Sequence, residues 1–262
     1  MLHGWGDTSA SFQFVVDALQ HRWHVLALDW RGFGQSQWNN DHYWFPDYFA
    51  DLDAFLDHYS PGGAVNLAAH SMGGSIALVY SGVRPERIAR IASLEGGSLL
   101  DTTIERAAGQ VRKWLDQVRG DPPRFRRYAD RNAFAERLME ENRRLSAEQA
   151  VFLAEHHAME RDGQWEFCAD PCHRWANPVL FSVEAAKSIW RQITAPVLWI
   201  EGRESFLNEY YAQREADYRE RLGCFKNLRR IVIDHCGHNL HHDQPDQVAR
   251  HIEEFMLERR PA

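Results

Sequence analysis

The chain predicts an α/β fold, a mostly parallel sheet flanked by helices and carrying a helical insertion. Three observations predict it. Short apolar runs alternate with segments of helical periodicity, which is the pattern of parallel strands joined by crossover helices. The alternation stops between Gly96 and Ile193, where arginine-, glutamate- and alanine-rich stretches take over. One apolar run ends on a serine followed at once by a small-residue helix start, Ser71-Met72-Gly73-Gly74-Ser75.

In chain order, Leu2-His3-Gly4-Trp5-Gly6 has the character of a loop leaving a strand, although only two residues precede His3. Val25 to Leu28, ending at Asp29, and Ala64 to Ala69, ending before Ser71, read as short buried strands. Between them Pro46-Asp47 opens a helix with an acidic first turn, and Phe49, Leu52, Phe55, Leu56 and Tyr59 share one face. Ile88 to Leu94, Pro196 to Ile200 and Arg229 to Ile233 complete the strands. The intervening region holds amphipathic stretches at Ile104 to Val118 and Phe134 to Met159 with no clear strand; Asp121-Pro122-Pro123, Pro171 and Asn177-Pro178 punctuate it. The expected division is a core of residues 1–95 and 194–262 with an insertion at 96–193.

Composition narrows the function classes. With 262 residues, 44% hydrophobic and 26% charged, the chain can bury a sizeable core and is not of the disordered class. A net charge of -7 offers no basic field for phosphates, which sets nucleic acid aside and leaves a small molecule as the expected partner. No run approaches the roughly 20 apolar residues of a membrane span, and no cationic segment leads into an apolar one at the start, so a soluble, cytoplasmic protein is expected. Four scattered cysteines suit reduced thiols better than a disulfide framework. Cys168, Cys172 and His173 have a spacing zinc could use, but no second Cys/His pair follows, and no metal or organic cofactor is expected.

The chemistry centres on Ser71. A buried strand, a sharp turn and a helix are what a nucleophile elbow requires, with small residues two before and two after the serine, here Ala69 and Gly73. A serine hydroxyl is a poor nucleophile at neutral pH and needs an imidazole to take its proton. The candidate is His238, in a glycine-containing loop after the last strand; His235, His241 and His242 compete for the role.

These segments, His3-Gly4-Trp5, Asp29-Trp30-Arg31-Gly32-Phe33-Gly34, His70-Ser71-Met72-Gly73-Gly74 and Gly237-His238 in that order, resemble the α/β-hydrolase family. The resemblance implies an eight-stranded sheet with the site at its C-terminal edge, and a variable helical cap corresponding to residues 96–193. It also implies that the backbone amides of Trp5 and Met72 form the oxyanion hole, and that His3, Asp29, Arg31, Gly32 and Gly34 are structural. Relatives place the triad acid three residues beyond a glycine after the seventh strand; here Gly202-Arg203-Glu204-Ser205 puts a serine there. Glu204, one residue early, is taken as the acid, with Glu95 after the sixth strand as the alternative. The family also carries a strand before His3 in mid-sheet, so the true start is expected upstream of Met1, or the oxyanion loop is weakly anchored.

The resulting expectation is a serine hydrolase acting through an acyl-enzyme on a small or medium hydrophobic ester, thioester or lactone. The alternatives are a lyase, perhydrolase or carbon-carbon hydrolase on the same scaffold, or a non-catalytic binding protein. Cap aromatics, including Trp114, Phe125, Phe134, Phe152, Trp165, Phe167, Trp175 and Trp190, are expected to divide between an apolar pocket wall and the cap's own core.

Overall fold

Residues 1–98, 104–121 and 123–258 are described by the computed structural model, so Pro122 and residues 99–103 of the insertion lie outside the described residues. The described strands are β1 (Val65–His70), β2 (Ile88–Leu94), β3 (Ala158–Arg161), β4 (Gln164–Phe167), β5 (Val197–Gly202) and β6 (Leu228–Ile233). The α-helices are α1 (Gln13–Asp17), α2 (Phe45–Tyr59), α3 (Ser71–Val83), α4 (Ala107–Arg119), α5 (Arg131–Glu141), α6 (Ala147–His157), α7 (Val183–Trp190), α8 (Phe206–Ala212), α9 (Glu215–Leu222), α10 (Leu240–Asp243) and α11 (Pro245–Leu257).

The central sheet runs β1-β2-β5-β6, with every neighbouring pair parallel. Parallel neighbours need long crossovers, and helices supply them on both faces. The period of two along β5 divides the core: Val197 and Trp199 join the cluster with Ile76, Leu78 and Trp190, while Leu198 and Ile200 join Phe12, Val248 and Ile252. Both faces of the strand are therefore apolar, and β5 is buried at all six positions.

Four strands expected from the sequence form within a residue or two of their predicted limits, and Val25–Leu28 does not. Of that run only Leu28 pairs, in a bridge to Leu2, and Leu2 bridges Ala69 on its other side. A strand is defined by its ladder, and here Leu2 alone forms bridges, with the Met1 amino group donating to Leu26 O beside it. The Leu2 amide donates to the Ala68 carbonyl at 3.0 Å and its carbonyl accepts from His70 N–H at 2.9 Å. Beside it lies a cavity of about 310 Å³ lined by Leu26, Phe55, Val65, Leu67 and Met256 among others. The eight strands implied by resemblance are thus met, among the described residues, by a four-stranded sheet and these two bridges.

The expectation of no strand in the insertion is also corrected. β3 and β4 pair antiparallel around Asp162-Gly163, whose φ values of 52° and 73° are those of a type I′ hairpin turn. The long Phe134 to Met159 stretch is two helices rather than one. Asp130 caps α5 by accepting from Ala133 N–H at 2.8 Å, and Ser146 caps α6 with a reciprocal Gln149 contact. These helices and the hairpin share a small core of Phe134, Ala135, Ala150, Ala154 and Ala158.

Candidate active site

Ser71 stands where β1 passes into α3, with φ of 49°, in the left-handed region that costs a residue with a Cβ. The turn survives because its neighbours are small. A Cβ on Gly73 would lie 2.5 Å from the Leu2 carbonyl oxygen and 2.6 Å from that of His3, so the glycine is what lets the first loop cross the elbow. The same loop brings Gly4 against Ser71, where an added Cβ would stand 3.1 Å from Ser71 Cβ. His3 clamps the loop from below: its Nδ1–H donates to Gly4 O at 2.7 Å, Nε2 accepts from Trp30 N–H at 3.0 Å, and Trp30 Nε1–H donates to His3 O at 2.9 Å. The loop carries Trp5 with its side chain 53% exposed, while Met72, buried, opens α3, where first-turn amides have no partner within the helix.

His238 follows β6 and folds back over the strand ends. Its Nε2 lies 2.9 Å from Ser71 Oγ. Its Nδ1 lies 3.1 Å from Glu95 Oε2. The carboxylate beside the histidine is therefore Glu95, the alternative of the sequence reading, and Glu204 is corrected. Glu204 has its backbone tied by N–H donation to Cys236 O at 2.9 Å, while its side chain turns outward, half exposed, to pair with Arg144. Of the competing histidines, His235 is exposed, and His241 and His242 pack inside without reaching Ser71.

Glu95 is buried at the end of β2 with φ of 55°. Gly202 N–H donates to its Oε1 at 2.7 Å, and Ser205 Oγ–H donates to Oε2 at 2.5 Å. The segment behind it is fastened by Glu95 N–H to Ile200 O at 2.9 Å, Gly97 N–H to Ser75 Oγ at 3.1 Å, and the buried Arg221 Nη1–H to Gly97 O at 3.1 Å. Gly202 also lets the histidine loop pass, since a Cβ there would meet Gly237 O at 2.3 Å.

A second buried network was not foreseen. Asp7 Oδ1 lies 3.2 Å from His157 Nε2 and accepts from Thr8 N–H at 2.8 Å; Oδ2 accepts from Ser11 Oγ at 2.8 Å and lies 3.4 Å from His241 Nε2. Burial alone would raise the Asp7 carboxyl, but hydrogen bonds from His157 and His241 hold it well below the usual 3.8. His70, buried and facing His241 and His238, is pushed well below the ordinary histidine value and donates from Nε2 to His238 O at 2.9 Å. Asp7, His70 and His241 have potential ligand atoms within 4.8 Å of one another. Both Asp7 oxygens already accept hydrogen bonds from the protein, so the cluster serves as an internal polar brace between the first loop, the histidine loop and α6. The Cys168, Cys172 and His173 positions do not converge: Cys168 bonds His156 O, and His173 stacks between Phe33 and Tyr43. All four cysteines are free and buried. Asp29 is structural, accepting from Ser9 and Gln35 amides at 2.7 and 2.9 Å, and a Cβ on Gly34 would collide with it at 2.2 Å. Phe134 and Trp190 are buried core residues.

A parallel sheet with a serine on the turn after β1 and a histidine after β6 defines an enzyme-like class, and the comparison with protein families agrees. The alpha/beta hydrolase fold model matches residues 1–245, and the chain belongs to that family. In sequence it is similar to a serine hydrolase-like protein of Danio rerio, 26% identical over 99% of this chain and 81% of that protein. In structure it is similar to a hypothetical protein of Pseudomonas aeruginosa PAO1, with TM-score 0.83 and 24% identity over 98% of this chain and 90% of that one. It also resembles a thioesterase domain from the curacin biosynthetic pathway, with TM-score 0.84 and 23% identity over 97% and 89% of the two chains.

Proposed function

We propose that the protein is a serine hydrolase that cleaves a small or medium hydrophobic ester, thioester or lactone through an acyl-enzyme. The observation that carries this reading is the unbroken line Ser71 Oγ, His238 Nε2, His238 Nδ1 and Glu95 Oε2, with steps of 2.9 and 3.1 Å. Each separation is within hydrogen-bond reach, so the hydroxyl, its base and the carboxylate that orients the base are in place together. Ser71 attacks the carbonyl while His238 takes its proton. Glu95 fixes the tautomer with the proton on Nδ1 and offsets the charge of the imidazolium. The amides of Trp5 and Met72 receive the oxyanion, at the positive end of α3. His238 returns the proton to the leaving group, and water then cleaves the acyl-enzyme with the same base. The chain's own residues complete this cycle without a cofactor.

An apolar substrate follows from the mouth of the site. Trp5 is 53% exposed and Phe206 61% exposed, with the Phe206 ring 5.0 Å from that of His238. In this reading residues 96–193 act as the cap over the catalytic serine, linked to the core through His157–Asp7 and Arg144–Glu204, and the enzyme works in a reducing cytoplasm that leaves its four thiols unpaired. Reaction with a fluorophosphonate probe tests the proposal. Wild type labels at Ser71 and Ser71→Ala does not; a folded wild type that stays unlabelled defeats the reading and leaves a binding protein.

A further inference from the structure

The carboxylate of the site is served from two backbone positions. Ser205 stands where the sequence pattern led one to look for an acid, and its hydroxyl hydrogen points at Glu95 Oε2 from 2.5 Å, closer than His238 Nδ1 at 3.1 Å on the same oxygen. Ser205 is 3% exposed and Glu95 2%. No solvent replaces the contact, so the charge on Oε2 is divided between the serine and the imidazole. We infer that Ser205 is a positioning residue of the triad, holding Glu95 against His238 and setting how much of its charge the histidine receives. This rests on the hydrolase reading above.

Ser205 is itself held in place as the N-cap of α8, its Oγ accepting from Leu207 N–H at 3.3 Å while its hydrogen goes to Glu95.

The reaction rate of Ser71 with a fluorophosphonate, followed against pH, tests the inference without knowledge of the substrate. In Ser205→Ala the whole charge of Oε2 falls to the imidazole, which then keeps its proton to higher pH. The acid limb is expected to move upward by about half a pH unit or more, and the plateau to fall by about tenfold or less. Ser205→Thr, which keeps the hydroxyl, stays within about twofold of wild type. A labelled wild type whose Ser205→Ala variant keeps its acid limb, whatever its thermal stability, overturns the positioning role. An unlabelled wild type instead strikes the hydrolase reading itself.

Discussion

The two ends of the Ser71–His238–Glu95 line are held by different means. Ser71 is held by its own backbone: a strand, a left-handed turn, two small neighbours and a helix, all within residues 65–83. Glu95 is held by groups distant in sequence, the Gly202 amide, the Ser205 hydroxyl and, behind Gly97, the Arg221 guanidinium. A nucleophile must stand in a strained, exposed geometry, which local sequence can encode. An orienting carboxylate needs only to arrive beside the histidine with its charge satisfied, and several loops at the ends of a parallel sheet can deliver it.

The sharpest way to break this contrast is to neutralise each candidate acid. Glu95→Gln keeps the shape and removes the charge, and the rate on a p-nitrophenyl ester is expected to fall by about 10³-fold or more. A loss under about threefold would show that His238 needs no carboxylate there. The next effect concerns stability on the Ser71 side. Burial keeps His70 and His242 well below the ordinary histidine value of 6.5, and His173 is lowered to about 4. In the unfolded chain these imidazoles bind protons at about 6.5, whereas in the fold they do not, so stability present above that pH is lost as pH falls below it. Urea midpoints measured from pH 7.5 down to 4.5 should decline steadily through this window. A midpoint that rises on acidification would contradict the burial of these groups. The smallest effect is expected at the rejected acid. Glu204 makes a half-exposed ion pair with Arg144, so Glu204→Gln should change the rate by less than about twofold and stability by less than about 1 kcal/mol. A loss comparable to that of Glu95→Gln would exchange the two assignments.

The legibility of the chain follows the same division. Strand alternation, the α2 face and the elbow at Ser71 are local patterns, and each formed close to where periodicity placed it. His238 was readable because a glycine-histidine step follows a clear apolar run. Glu204 misled because position along the chain was read as position in space: in the turn after β5 Arg203 and Glu204 are both exposed, and the chain faces inward only at Ser205. Glu95 carries no local mark beyond the glycines after it. The Asp7, His157 and His241 brace joins residues as much as 234 positions apart, beyond any window of sequence. The β3–β4 hairpin, by contrast, was signalled by Asp162-Gly163 and passed over because its strands are only four residues each. Val25–Leu28 shows the converse, an apolar run of strand character of which only Leu28 forms a bridge, to Leu2.

Leu2 has a mechanical consequence. It bridges Leu28 and β1 and is held to β1 by two peptide hydrogen bonds, one of them with His70, the residue before Ser71. Its carbonyl also passes close to Gly73, two residues beyond Ser71, where an added Cβ would stand 2.5 Å away. A displacement of the first loop therefore reaches both flanks of Ser71 at once, and the stiffness of the turn depends on the seating of Leu2 together with the His3 clamp on Trp30.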